Sequence, residues 1–158
     1  MEAGKTGALL SCAAAIGAIL AGAPAPTVDA LADFGRHLGI AFQAVDDVLG
    51  IWGEPSVTGK PVGSDLRQHK KSLPIAIALA RGTDLPAGIG SLLERDLSEA
   101  EVAKATLLLE QCGARQETLA IGELQLDAAL ASLERVPLAI GPGSELAAIA
   151  RYVTERDR

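Results

Sequence analysis

Apolar residues recur along most of this chain at spacings of three and four, the repeat of α-helices with one face turned inward. The clearest run is Leu31, Phe34, Leu38, Phe42, Val45 and Leu49, which fall on a single stripe. Six helices are expected. The first covers about 2–21 and stops at Gly22 and Pro24. The second covers about 28–49, opened by Thr27 or Asp29 as a cap and ended by Gly50. A third spans about 65–81, bent near Pro74. The fourth runs from Ser98 to about Gln111, where Ser98-x-x-Glu101 forms a capping-box pattern. The last two cover about 114–134 and about 144–156, separated by Gly141-Pro142-Gly143. Residues 50–64 hold four glycines and two prolines, too many for a helix, and 82–90 reads as a connector.

Composition supports an all-α chain. It is 49% hydrophobic but only 3% aromatic, and Ala and Leu carry most of the apolar positions. Those are the strongest helix formers, while the residues that favour strands are few. At 158 residues the chain has the length of a single domain, 1–158, with no internal repeat or linker. The uncharged stretch from Thr6 to Val28 raises the question of a membrane span or a leader. It is mostly Ala and Gly, broken by Gly17, Gly22 and Pro24, and so reads as a helix buried inside a helical protein, with no transmembrane segment. Cys12 and Cys112 lie in apolar helical patterns and read as buried free thiols of a reducing, cytoplasmic setting. A net charge of −6 argues against general nucleic-acid binding, which needs a basic face.

Chemistry concentrates in residues 42–74. Gln43, Asp46 and Asp47 stand at i, i+3 and i+4 and share a face near a helix C-terminus. The helix dipole disfavours negative charge there, so the pair costs stability unless a cation offsets it. A glycine-punctuated loop then carries Lys60 and Asp65, and a basic run follows through Lys70 and Lys71. Carboxylates suit Mg²⁺, which commonly bridges one or two of them to substrate phosphates. Taken singly, the acid pair also fits a solvated helix end, and the basic run a solvated face. Two other motifs fail on inspection. Lys5-Thr6-Gly7 lacks the companion boxes of penicillin-binding enzymes. Gly53 to Lys60 misses the phosphate-loop spacing, with Pro61 where a hydroxyl is needed.

In order along the chain, these residues resemble the trans-isoprenyl diphosphate synthases, or polyprenyl synthetases. Lys5-Thr6 resembles the family's Lys-Thr motif, and Phe42-Gln43-x-x-Asp46-Asp47 its second aspartate-rich motif. Thr58-Gly59-Lys60 and Gly63-Ser64-Asp65-Leu66 resemble the loop that follows, and Lys70-Lys71-Ser72-Leu73-Pro74 the next lysine segment. Tyr152 to Arg158 resembles a family C-terminus.

The resemblance implies the C-terminal half of an isoprenoid synthase-type helical bundle. It implies condensation of isopentenyl diphosphate with an allylic diphosphate, assisted by Mg²⁺. Asp46 and Asp47 would bind the metal, with Gln43 and Asp65 supporting them. Lys5, Lys60 and Lys70 would hold the diphosphate, and Thr6 would shape the site and relay a proton. Two departures stand out: Gly50 occupies the fifth place of a motif that often reads Asp-Asp-x-x-Asp, and the family's first aspartate-rich motif does not occur. The expectation is therefore a half-unit (a fragment, a mis-started reading frame or one subunit of a split enzyme), inactive alone, acting as a homodimer or with a complementary half or subunit. A class I terpene cyclase of the same fold, and a non-catalytic partner subunit of a prenyl synthase, are the alternatives.

Overall fold

A computed structural model describes residues 4–81, 90, 95–136 and 142–154. The expected starts and ends at 2–3, 82–89, 137–141 and 155–158 lie outside the described residues. Helices are α1 (Thr6–Leu20), α2 (Ala25–Trp52), α3 (Pro55–Thr58), α4 (Ser64–Arg67), α5 (Leu73–Ala80), α6 (Glu99–Gln111), α7 (Ala114–Glu134) and α8 (Pro142–Thr154). There is no strand among the described residues. The all-α expectation holds.

Local chemistry explains most boundaries. α1 ends in a Schellman motif: Gly22 adopts φ 65°, the Ala23 N–H donates to the Ala18 carbonyl at 3.0 Å, and the Gly22 N–H to Ile19 at 3.1 Å. α2 begins earlier than the capping residues suggested. The Pro24 carbonyl accepts from Thr27 at 2.9 Å, and Pro26 sits in the first turn, where a missing N–H costs nothing. α2 also runs through Gly50 to Trp52, because the loop beyond it satisfies its last carbonyls. The capping box at Ser98 forms, with the Ser98 N–H donating to the Glu101 carboxylate at 2.9 Å.

The single helix expected at 65–81 is two helices. After α4 the chain turns through His69 at φ 51°, and α5 restarts at Leu73 with Pro74 in its first turn. Proline cannot donate inside a helix, and it pushes the preceding residue out of the helical region, so it starts α5 more readily than it bends a longer helix.

The chain divides into two compact units, Met1–Gln43 with Ile121–Arg158, and Ala44–Ala120, with α2 and α7 running through both. In the first unit the core gathers Ala30, Leu31, Phe34 and Leu38 of α2 with Ala129, Leu133, Val136 and Ala150. Leu10, Ala14 and Ala18 of α1 pack against it. α1 lies very close to α2: a Cβ built on Gly39 would stand 2.6 Å from the Gly7 Cα, and one on Gly35 2.2 Å from the Leu10 carbonyl oxygen. Only glycine fits at either place. In the second unit Ile51, Leu66 and Leu109 are fully buried, and α4 and α5 both pack on α6.

α1 departs from the expectation of an all-round buried helix. Its Gly7, Ala15 side is buried, yet Leu9, Ile16, Ile19 and Leu20 are exposed, Leu20 at 82%. Cys12 is likewise exposed rather than buried, and Cys112 is half-buried; both are free thiols. The physical reason is that α1 meets its unit along one narrow glycine and alanine face. Among the described residues no helix is long and apolar enough to cross a membrane.

Two expected outcomes follow from these contacts. Gly39→Ala should lower stability by about 1–3 kcal/mol in urea unfolding, because the added methyl meets backbone. Gly17→Ala, where nothing lies within 4 Å of the built Cβ, should instead raise it by about 0.5–1 kcal/mol. Equal effects at both positions would contradict the close approach. The second outcome concerns pH. The Arg95 guanidinium first, and then the Ser98 N–H and hydroxyl, hold the Glu101 carboxyl down at about 2, against an ordinary 4.5. A depressed folded value stabilises fully above pH 4.5 and loses that contribution as pH falls toward 2. Glu101→Gln should therefore flatten the fall in stability across that window, measured by urea unfolding at stepped pH.

Candidate active site

The acid-bearing turn of α2 is built from three glycine or acid contacts. Gly35, Gly39, Gln43, Asp46 and Gly50 are spaced by 4, 4, 3 and 4 residues and so occupy one strip of α2. At the first part of the strip, the Thr6 hydroxyl donates to Gln43 Oε1 at 3.1 Å. Thr6 opens α1, so the Gly7–Gly39 approach sets this pairing. The expected Lys-Thr motif and the glutamine of the acid motif thus meet in the first unit. Lys5, the residue before α1, is exposed.

The second unit holds the remaining candidates. Asp46 is exposed, whereas Asp47 is 4% exposed and its Oδ2 accepts from the Leu73 N–H at 2.7 Å. Leu73 is the first residue of α5, so Asp47 satisfies a donor that a helix start leaves unpaired. Adjacent residues of a helix point about 100° apart, which is why one acid of the pair faces out and the other in.

The loop after α2 returns to cap it. The Gly63 N–H donates to the Ile51 carbonyl at 3.1 Å, and the Ser64 hydroxyl to the Gly50 carbonyl at 3.3 Å. Gly63 has φ 72°, and Val102 Cγ1 would lie 2.4 Å from a Cβ there. These bonds set Asp65 against α2. Its side chain is 6% exposed, and Lys70 Nζ donates to Asp65 Oδ1 at 2.7 Å. That hydrogen bond, with the charges of Asp65, Asp46 and Asp47, raises the Lys70 pKa against its partial desolvation. Three carboxylates therefore act on one ammonium. Lys60 follows Gly59, which adopts φ 66°, and is exposed.

Among the described residues no group of three or more His, Cys, Asp or Glu side chains is placed to hold a metal ion. One outward carboxylate near a basic cluster still suits Mg²⁺, whose sphere is usually completed by substrate phosphates and water rather than by an all-protein cage. The histidines serve elsewhere. His37 Nδ1 lies 2.7 Å from Gln125 Oε1, and His69 Nε2 lies 3.3 Å from Asp96. What the sequence reading did not find is the Asp47–Leu73 bond and the contact of Asp65 with Gly50. The Ser-Leu-Pro at 72–74, a helix-start pattern, was the available signal for the first.

Comparisons with known proteins bear on the whole chain. The polyprenyl synthetase family model matches residues 1–109. A (2E,6E)-farnesyl diphosphate synthase of Mycobacterium tuberculosis is 39% identical over 99% of this chain and 45% of its own length. A polyprenyl synthetase structure from Streptomyces coelicolor A3(2) superposes with TM-score 0.90 at 44% identity, over 96% of this chain and 47% of that one. A geranylgeranyl pyrophosphate synthase of Corynebacterium glutamicum, complexed with isoprenyl diphosphate and magnesium, superposes with TM-score 0.81 at 32% identity, over 89% and 41%. The chain thus spans about half the length of the relatives it matches. With the ordered Lys-Thr, Asp-Asp and lysine-loop motifs on a shared all-helical fold, the chain belongs to the polyprenyl synthetase family.

Proposed function

We propose that this chain supplies one wall of a prenyl diphosphate synthase site, joining isopentenyl diphosphate to an allylic diphosphate. The observation that carries the reading is the exposed carboxylate of Asp46 in the last turns of α2, in the second aspartate-rich motif of a chain that belongs to the polyprenyl synthetase family. In the reaction the allylic C–O bond breaks and its electron pair leaves on diphosphate. The isopentenyl double bond then forms the new C–C bond, and loss of a proton restores an alkene.

Diphosphate leaves only if its growing charge is neutralised. Lys5, Lys60 and Lys70 would supply positive charge, with Lys60 carried to the ligand by its glycine turn. Asp46 would hold Mg²⁺, and Asp47 would fix the geometry by holding α5. Magnesium, when bound, supplies further neutralisation of the leaving oxygens. The Thr6 hydroxyl commits its proton to Gln43, which leaves oxygen lone pairs able to accept one.

The reading includes a complementary partner, the other half of the family fold or a second subunit that carries it. Two facts support it: the chain spans about half of its relatives, and α1 presents exposed Leu9, Ile16, Ile19 and Leu20. Apolar residues grouped on one helix face usually mark a contact surface.

Incorporation of labelled isopentenyl diphosphate into product, with Mg²⁺, tests the reading. The chain alone should give no turnover, and the chain mixed with the portion of a relative that it does not match should give product. Turnover by the chain alone would overturn the half-site reading. In the reconstituted mixture Asp46→Ala should cut activity by about 100-fold or more while shifting stability by less than about 0.5 kcal/mol. Asp47→Ala should instead cost about 2 kcal/mol of stability, since it leaves the Leu73 donor unpaired in a buried place. Full activity in Asp46→Ala would remove the metal role from that residue.

A further inference from the structure

We propose that the segment entering α6, from Asp96 to Val102, is a seat that fixes the turn carrying Lys70, and that His69 and Asp96 are positioning residues acting through that lysine. The functional half of this proposal rests on the diphosphate reading above; the structural half does not.

The two stretches run side by side in opposite directions. Gly63, Arg67 and His69 meet Val102, Glu99 and Asp96, in reverse order along the chain. Val102 is 3% exposed, and its Cγ1 would lie 2.4 Å from a Cβ built on Gly63, whose φ is 72°. Arg67 pairs with Glu99 at 2.7 Å, and His69 Nε2 lies 3.3 Å from Asp96 Oδ1. The seat is itself held: the capping box at Ser98 starts α6, and Arg95 pairs with Glu101.

His69 is the informative residue. α4 ends in a Schellman pattern: the Lys70 N–H donates to the Asp65 carbonyl at 3.0 Å and the His69 N–H to that of Leu66 at 3.2 Å, with His69 at φ 51°. That place favours glycine, and among the described residues His69 is the one non-glycine residue with such a backbone. Its contact with Asp96 is exposed, and an exposed pair stabilises a fold little. Fold stability therefore gives histidine no advantage over glycine here. What the side chain adds is local, since it ties the residue next to Lys70 to a separate, capped helix start. With Arg67 fastened to the same segment, the turn is held at both ends, and Lys70 Nζ keeps its direction toward Asp65. A strained backbone beside a binding group is a pointer to function.

Hydrogen exchange of the Lys70 amide tests the seat in the chain without ligand. Asp96→Ala and His69→Gly should each lower its protection factor by roughly 3-fold or more. The thermal midpoint should stay the same in the first, and hold or rise by up to roughly 2–4 °C in the second. His69→Gln, which keeps a donor for Asp96, should keep the parent protection. Unchanged protection in either Asp96→Ala or His69→Gly would overturn the proposal. A midpoint that falls in step with the protection would overturn it too, because the contact would then only stabilise the fold.

The functional half is read in the reconstituted mixture as kcat/KM for the allylic diphosphate. Asp96→Ala and His69→Gly should each lower it by roughly 3-fold or more, and His69→Gln should keep it. In a Lys70→Ala background neither should lower it further, because residues that act through one group are not additive. Equal losses with and without Lys70, or no loss at all, would overturn the positioning role. A parent mixture that yields no product would overturn that role together with the diphosphate reading. The seat is judged separately, because exchange of the Lys70 amide involves neither substrate nor partner.

Discussion

Three positions along one strip of α2 must lack side chains for this structure to exist. Gly35 and Gly39 let the backbone of α1 come into contact, and Gly50 leaves space for the carboxylate of Asp65. Backbone approach that close is open only to glycine, and a methyl at 35 or 39 would strike main chain that cannot move away. Placement of Thr6 on Gln43, and of the 63–65 loop on the end of α2, both depend on it. The polar residues of the strip, Gln43 and Asp46, lie among those glycines. Functional groups and the condition for packing therefore share one helix face.

The acids on this helix show how neighbouring residues of one type take different work. The two members of the Asp46-Asp47 pair differ in direction by about 100°. Asp47 is turned inward, where the Leu73 N–H meets its carboxylate. Asp46 is turned outward and keeps a charge that a ligand can use. The dipole of α2 opposes both, and Lys70 is the nearby cation that offsets part of that cost. Asp65 adds to the same balance from outside the helix. Its burial would be unfavourable without Lys70, so the loop, the lysine and the glycine form one dependent set.

Much of the fold was legible in residue spacing. Leu31, Phe34, Leu38 and Val45 of the stripe are buried as its periodicity implied, while its Phe42 and Leu49 are half-buried, and Ser98 with Glu101 forms its box. The helix at 114–134 begins and ends where the pattern placed it. Errors came where a local rule competed with a tertiary one. Gly50 reads as a helix end, yet the Gly63 and Ser64 donors let α2 continue to Trp52. Pro74 reads as a bend, yet Asp47, 26 residues earlier, stabilises a fresh helix start at Leu73. Cys12 and the leucines of α1 read as interior, yet burial depends on what lies opposite a face, and that is not written in the face itself.

The sequence by itself determined the helical class, the order of the motifs and the family, because helix periodicity and short motif spacings are local properties of the chain. Tertiary structure alone decided which acid faces outward, which lysine is bonded to which carboxylate, and how the gap at position 50 is filled. Those outcomes depend on contacts between residues such as Asp47 and Leu73, or Gly50 and Asp65, that are far apart along the chain and meet only when α2, the following loop and α5 have packed.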